Sequence, residues 1–311
     1  MKTLLTTCLL LIAASAMAAS DDWVIVGSPF PEHITGIDFV NHDTGYIVTG
    51  EGNFGVTYDR GKTWASFEFK GEAGFQDIDY VTGKHGYAVG NYGVIIVTYD
   101  GGTEWIFKGL SNDSLWFTDV IAIDDTIALA CGIHRTEEQP FSSYLVRTVD
   151  SGATWTRLGS VGLGPSEFEI GADGTLYLLT FGQLNFSNDY GESWERRLLG
   201  MDKPGRALSF NGPNGIVCGP SSMLAYTSDG GNTWTAANLP PHQVLVAAEM
   251  LDNGVGYVAG MAGAMFRTED GGRTWVKEEL PRTFDILDLH VDGNRLYVTG
   301  SVGAILYKEI D

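Results

Sequence analysis

Residues 227–234 read TSDGGNTW, and the fold turns on how that octet is understood. Nearly the same octet returns at 57–64 (TYDRGKTW), 98–105 (TYDGGTEW), 148–155 (TVDSGATW), 187–194 (SNDYGESW) and 268–275 (TEDGGRTW). Six copies are either six ligand sites or six copies of one structural rivet with the function elsewhere. Their aspartates, Asp59, Asp100, Asp150, Asp189, Asp229 and Asp270, follow one another at 41, 50, 39, 40 and 41 residues. A period near 40 marks a repeat architecture.

One unit runs GFQDIDYV (74–81), GYAVG (86–90), GVIIVTYDGG (93–102) and TEWIFKG (103–109). These are four short β-branched or alternating runs divided by glycine-bearing turns, hence four strands and one propeller blade. A seventh unit lacks a box: GAILYKEI (303–310) aligns with GAMFRTED (263–270), and the chain stops after its third strand. Trp23-Val24-Ile25 matches the strand that follows a box and can supply the missing fourth. The expectation is an all-β chain, a seven-bladed β-propeller of four-stranded blades. Its ring closes by pairing the N-terminal strand with the C-terminal blade. Seven of the eight tryptophans then occupy one repeat position, Trp116 being the exception.

The box chemistry favours rivets. Asp ends the third strand and can accept backbone N–H groups of the turn it begins. Gly at the second position after Asp can take a positive φ. Trp64, Trp105, Trp155, Trp194, Trp234 and Trp275 start outer strands, offering a large apolar face and an indole N–H in need of a partner. Calcium requires more oxygens than one box provides.

Outside the repeat, residues 1–18 read as a cleaved export signal. Lys2 precedes an apolar stretch too short to span a bilayer, and Ala16-Met17-Ala18 gives a small-x-small cleavage pattern. The propeller is then 19–311, with a periplasmic or secreted location and no membrane insertion. Cys131 and Cys218 share one repeat position two units apart, which favours two buried thiols over a disulfide. The formal charge of −20, from 39 acidic against 19 basic residues, excludes a nucleic-acid role and disfavours anionic lipid surfaces. The six histidines show no ligand spacing, so neither metal nor cofactor is expected.

The S/T-x-D-x-G-x-T-W octets are BNR, or Asp-box, repeats. With the near-regular 40-residue spacing and the GYAVG-type second strand, residues 23–311 resemble the photosystem II stability/assembly factor family and its relatives in non-photosynthetic bacteria. That resemblance implies a non-enzymatic, exported assembly or stability factor whose partner is a subunit of a membrane complex or its assembly intermediate. The photosynthetic members carry a basic surface patch thought to engage their client. Here arginines are few and scattered, which points to some other envelope partner. The protein is expected to act as a monomer.

The candidate binding face is the one opposite the boxes, where inner strands begin. Repeat alignment places His33, Phe75, Trp116, Glu167, Arg206, His242 and Arg282 there, together with the insertion at 132–142 that carries His134 and Arg135. The rival reading is a glycan-active hydrolase or lectin using the same mouth. A sialidase is disfavoured because no arginine precedes an Ile-Pro or Leu-Pro pair. A two-carboxylate glycosidase has acids to draw on. Yet Asp77, Asp119, Glu169 and Asp285 align at one repeat position, which suggests a structural habit.

Overall fold

Alternation along the second strand of each blade sets the packing. Gly45–Thr49, Gly86–Gly90, Leu176–Thr180 and Gly256–Gly260 are buried at every position. Successive side chains of a strand point to opposite faces, so each of these strands feeds two cores. Tyr46 and Val48 enter a core shared with the next blade, while Ile47 enters the one shared with the previous blade. The computed structural model describes residues 22–68, 73–110, 114–138, 141–171, 173–200 and 203–310. The proposed export signal lies outside them. Within them the apolar side chains form seven cores, one at each seam between neighbouring blades.

Seven four-stranded antiparallel sheets carry these cores. Their inner strands are Ile34–Phe39, Phe75–Tyr80, Leu115–Ala122, Glu167–Ile170, Ala207–Asn211, Leu245–Met250 and Ile286–Asp292, for blades 1 to 7. Blades 1 to 6 are simple meanders. In blade 7 the outer strand is Trp23–Val26, paired antiparallel with Ala304–Glu309 so that Trp23 faces Lys308 and Val26 faces Ile305. Trp23 packs into the core between blades 6 and 7, and Val26 into the core between blades 7 and 1. Both cysteines are free and buried.

Each box is a closed hydrogen-bond circuit. In the Thr227–Trp234 box the Thr227 hydroxyl donates to Asp229 Oδ1 (2.7 Å) and accepts the Gly231 N–H (3.1 Å). Asp229 also accepts the Thr233 N–H (2.9 Å) on Oδ1 and the Thr233 hydroxyl (2.6 Å) on Oδ2. The box at Asp100 has Glu104 where the others have Thr or Ser, so it keeps the backbone bond and lacks the hydroxyl one. Positive φ occurs at the expected glycine, from +71° at Gly61 to +88° at Gly272. The residue before it is left-handed too, even where it is Arg60, Ser151 or Tyr190. The glycine also meets the preceding blade: a Cβ on Gly102 would lie 2.7 Å from the Tyr46 ring, and one on Gly191 2.5 Å from Leu129. Indole N–H groups find their box carbonyl in three of six boxes, at Trp64, Trp234 and Trp275. Those of Trp105, Trp155 and Trp194 are buried without a hydrogen-bond acceptor.

Replacing Asp229 by Ala removes the acceptor for three donors in one hairpin. The expected outcome is a Tm lower by a few degrees with binding at the opposite face intact, measured by thermal melts beside a binding assay. An unchanged Tm with lost binding would mean that the boxes are ligand sites.

Candidate functional site

The central channel is built by a bulge. In five blades the register between the first two strands slips by one residue, between Ile34/Gly36, Phe75/Asp77, Phe117/Asp119, Leu245/Ala247 and Ile286/Asp288. A bulge re-aims the extra residue. Here it turns Thr35, Gln76, Thr118, Val246 and Leu287 into the mouth, where, with Ser166 and Arg206 of the two unbulged blades, they line a cavity of about 160 Å³. Asp77, Asp119, Glu167 and Asp288 line it as well. That volume corresponds to roughly five waters at the liquid's share per molecule.

The channel acids hold the blades together. The Ile37 N–H donates to Asp288 (3.0 Å), Val120 to Asp77 (2.9 Å), Phe168 to Asp119 (2.7 Å) and Leu208 to Glu167 (2.7 Å). Two residues further along each strand a second tier repeats the motif. Tyr80 donates to Asp38 (2.7 Å), Ala122 to Asp79 (2.6 Å), Phe210 to Glu169 (3.1 Å) and Met250 to the Ser209 hydroxyl (3.0 Å). Every one of these bonds crosses a seam. The alignment of Asp77 and Asp119 with Glu169 and Asp285 is therefore corrected. Glu167 and Asp288 are their partners in register, because the bulge and the short blade 4 inner strand shift the count. Asp285 lies before its strand and accepts the Ala262 N–H (2.7 Å).

Crowding acids in a narrow channel raises their proton affinity. Burial pushes Asp77 up to about 6, Asp79 to about 7, and Glu169 and Asp288 to about 8. Asp38, Asp119, Glu167 and Glu249 move the same way, by burial first and then by repulsion from neighbouring carboxylates. His290, 3.7 Å from Asp38, is pushed down to about 4 by burial. The box aspartates go the other way: hydrogen bonds, first from the Ser or Thr hydroxyl, hold Asp189, Asp229 and Asp270 at about 2. Among the described residues no group of three or more His, Cys, Asp or Glu is arranged to hold a metal ion.

The proposed mouth residues do not all reach the surface. Phe75 is fully buried, its ring edge-on to Phe54 (4.8 Å) in the core between blades 1 and 2, so it is withdrawn from the binding face. It stands on the core side of the bulge, and Gln76 takes the mouth position. Trp116 is half-buried beneath the Arg135 guanidinium (4.1 Å), with Tyr92 edge-on at 6.5 Å. His134 packs edge-on to Tyr144 (5.8 Å). His33, Arg206 and His242 are exposed, and Arg282 lies half-buried over Phe284 (5.3 Å). His242 lies between two surface cavities of about 930 and 490 Å³, where Lys203 and Arg282 also stand. The sequence reading missed both the seam-crossing role of the channel acids and an exposed apolar group on this face, Phe141, Leu163 and Phe181. The signal for the latter was the glycine-rich spacing around it, Gly162, Gly164 and Gly182, each with positive φ.

A seven-bladed propeller with Asp boxes at its hairpins and carboxylates crossing its inner seams is thus the class. Residues 62–165 and 168–301 match the family described as Photosynthesis system II assembly factor YCF48, and the chain belongs to that family. Two solved members are similar in fold. A YCF48 bound to a D1 peptide is 18% identical with a TM-score of 0.74, over 94% of this chain and 96% of that one. YCF48 from Cyanidioschyzon merolae is 18% identical with a TM-score of 0.75, over 93% and 99%. The WD40 propeller domain of Doa1 shares the fold at 10% identity and a TM-score of 0.70, over 93% and 96%. No curated protein sequence matches the chain.

The two sets of acids fix the pH dependence of stability. Between about pH 4 and 8 the unfolded chain gives up protons that the folded channel retains, so stability falls as pH rises. His290 and His85, both pushed down by burial, oppose this below about pH 6.5, as two groups against eight carboxyls. Below about pH 4 the box aspartates reverse the slope, since the unfolded chain then binds more protons. The expected Tm is several degrees higher at pH 5 than at pH 8, and a Glu169→Gln/Asp288→Asn variant flattens that difference. A Tm that rises with pH across this range would refute the assignment.

Proposed function

We propose that this chain is an exported, non-enzymatic assembly or stability factor that binds a subunit of a membrane protein complex through its mouth face. The observation that carries the reading is the employment of the channel acids. The carboxylates that could have formed a glycosidase pair each accept a backbone N–H from the next blade, in a channel of about 160 Å³. That leaves the loops around the mouth, where Arg206 and His242 are exposed, as the surface available for recognition. Membership of the YCF48 family supports the same reading, as does the D1 peptide held by one solved member. The charge of −20 favours a client that is not itself strongly acidic.

The test is affinity capture from detergent-solubilised envelope, with wild type beside an Arg206→Glu/Arg282→Glu variant of matched Tm. The expected outcome is a membrane-complex subunit retained by wild type and reduced about tenfold by the variant. Retention of an oligosaccharide on a glycan array, with no protein retained, would move the function to glycan binding.

A further inference from the structure

The mouth face carries a feature that neither the channel nor the basic side chains explain. Phe141 precedes the third strand of blade 3, Leu163 lies in the loop from blade 3 to blade 4, and Phe181 begins the turn between the second and third strands of blade 4. Their backbones are laced together: the Phe181 N–H donates to the Leu163 carbonyl (2.9 Å), the Gly164 N–H to the Phe141 carbonyl (3.2 Å), and Ser142 bridges Leu163. The side chains are nevertheless 60, 62 and 62% exposed. Leu198, opposite Gln183 on the outer strand of blade 4, extends the group and is 74% exposed. Single exposed apolar residues are ordinary, but a group fixed side by side by backbone hydrogen bonds marks an interaction surface.

The charges around it indicate what it takes. Glu137 and Glu138 stand exposed on the adjoining insertion, and the sequence has no lysine between Lys108 and Lys203. The nearby arginines are engaged, Arg135 over the Trp116 ring and Arg196 on the Gln183 side-chain oxygen (3.3 Å). An apolar group beside free carboxylates is complementary to apolar side chains flanked by cations. We infer that Phe141, Leu163 and Phe181 form a docking surface for a protein segment that presents apolar side chains next to lysine or arginine. This rests on the protein-binding reading above and adds the chemistry of the client segment.

The test is fluorescence anisotropy of a labelled Leu-Lys-Leu-Leu-Lys-Leu peptide and its Leu-Glu counterpart, titrated with the purified protein. The expected result is binding of the basic peptide only, weakened at least about tenfold by Phe141→Asp/Phe181→Asp. That variant adds two negative charges, which alone would tighten a cationic peptide, so the loss isolates the apolar contacts. Val276→Asp, at an exposed apolar position on the outer strand of blade 6, is expected to leave affinity within about twofold. Leu163→Asp supplies the same readout should the double variant fail to fold. Unchanged affinity in the patch variants, equal loss in the control, or equal binding of both peptides overturns the proposal. So does a patch variant that alters only self-association in sedimentation, or only adhesion to zwitterionic vesicles. A client still captured in the preceding experiment while the peptide fails removes the patch alone; failure of both removes the protein-binding reading.

Discussion

Each blade is a sheet with two apolar faces, and no blade can stand without a neighbour on either side. That constraint shapes the rest of the molecule. Seven sheets give seven seams, and the buried side chains divide into seven cores that each draw on two adjacent blades. Alternation along a strand is what makes this possible, since Tyr46 and Ile47, neighbours in the chain, belong to different cores. The boxes serve the same end. The glycine at the second position after Asp permits a tight turn and removes the Cβ that would crowd the preceding blade.

A closed ring also creates a problem at its centre. The innermost strand of every blade has one edge with no strand beside it, and unpaired backbone N–H groups there need acceptors. The channel carboxylates supply them from the neighbouring blade, in two tiers. One side chain thereby satisfies an open edge and ties a seam, and the accompanying cost is the gathering of acids in a narrow space. Their raised proton affinity follows from that geometry.

The repeat was legible because its parts are rigid requirements. Only glycine fits the left-handed position set against a neighbouring blade, and only a carboxylate offers two acceptor oxygens for the three donors of the hairpin. The mouth was less legible because it depends on a register slip. A bulge moves one residue from core to channel, so repeat alignment assigns Phe75 to the mouth when Gln76 is there. It also groups Glu169 and Asp285 with Asp77 when the partners are Glu167 and Asp288. The acids were recognised as a structural habit, but their bonds cross between blades some 40 residues apart, a relation that no local pattern displays. The apolar group on blades 3 and 4 was hidden for a related reason. Its members come from three loops, and each alone is an unremarkable exposed residue.

The pairing of Trp23–Val26 with Ala304–Glu309 has a consequence for how the molecule comes into being. The first strand of the ring has its partner in the last, so the seventh blade assembles only after every blade between them has been synthesised. Until then Trp23, Val24, Ile25 and Val26 have no sheet to join, and the open end of blade 6 lacks the partner for its second face. Blades 1 to 6, each a local meander, can form in order as the polypeptide emerges, while closure waits as a single late, non-local event. The circle is therefore vulnerable to aggregation for most of its biogenesis and secure only at the end.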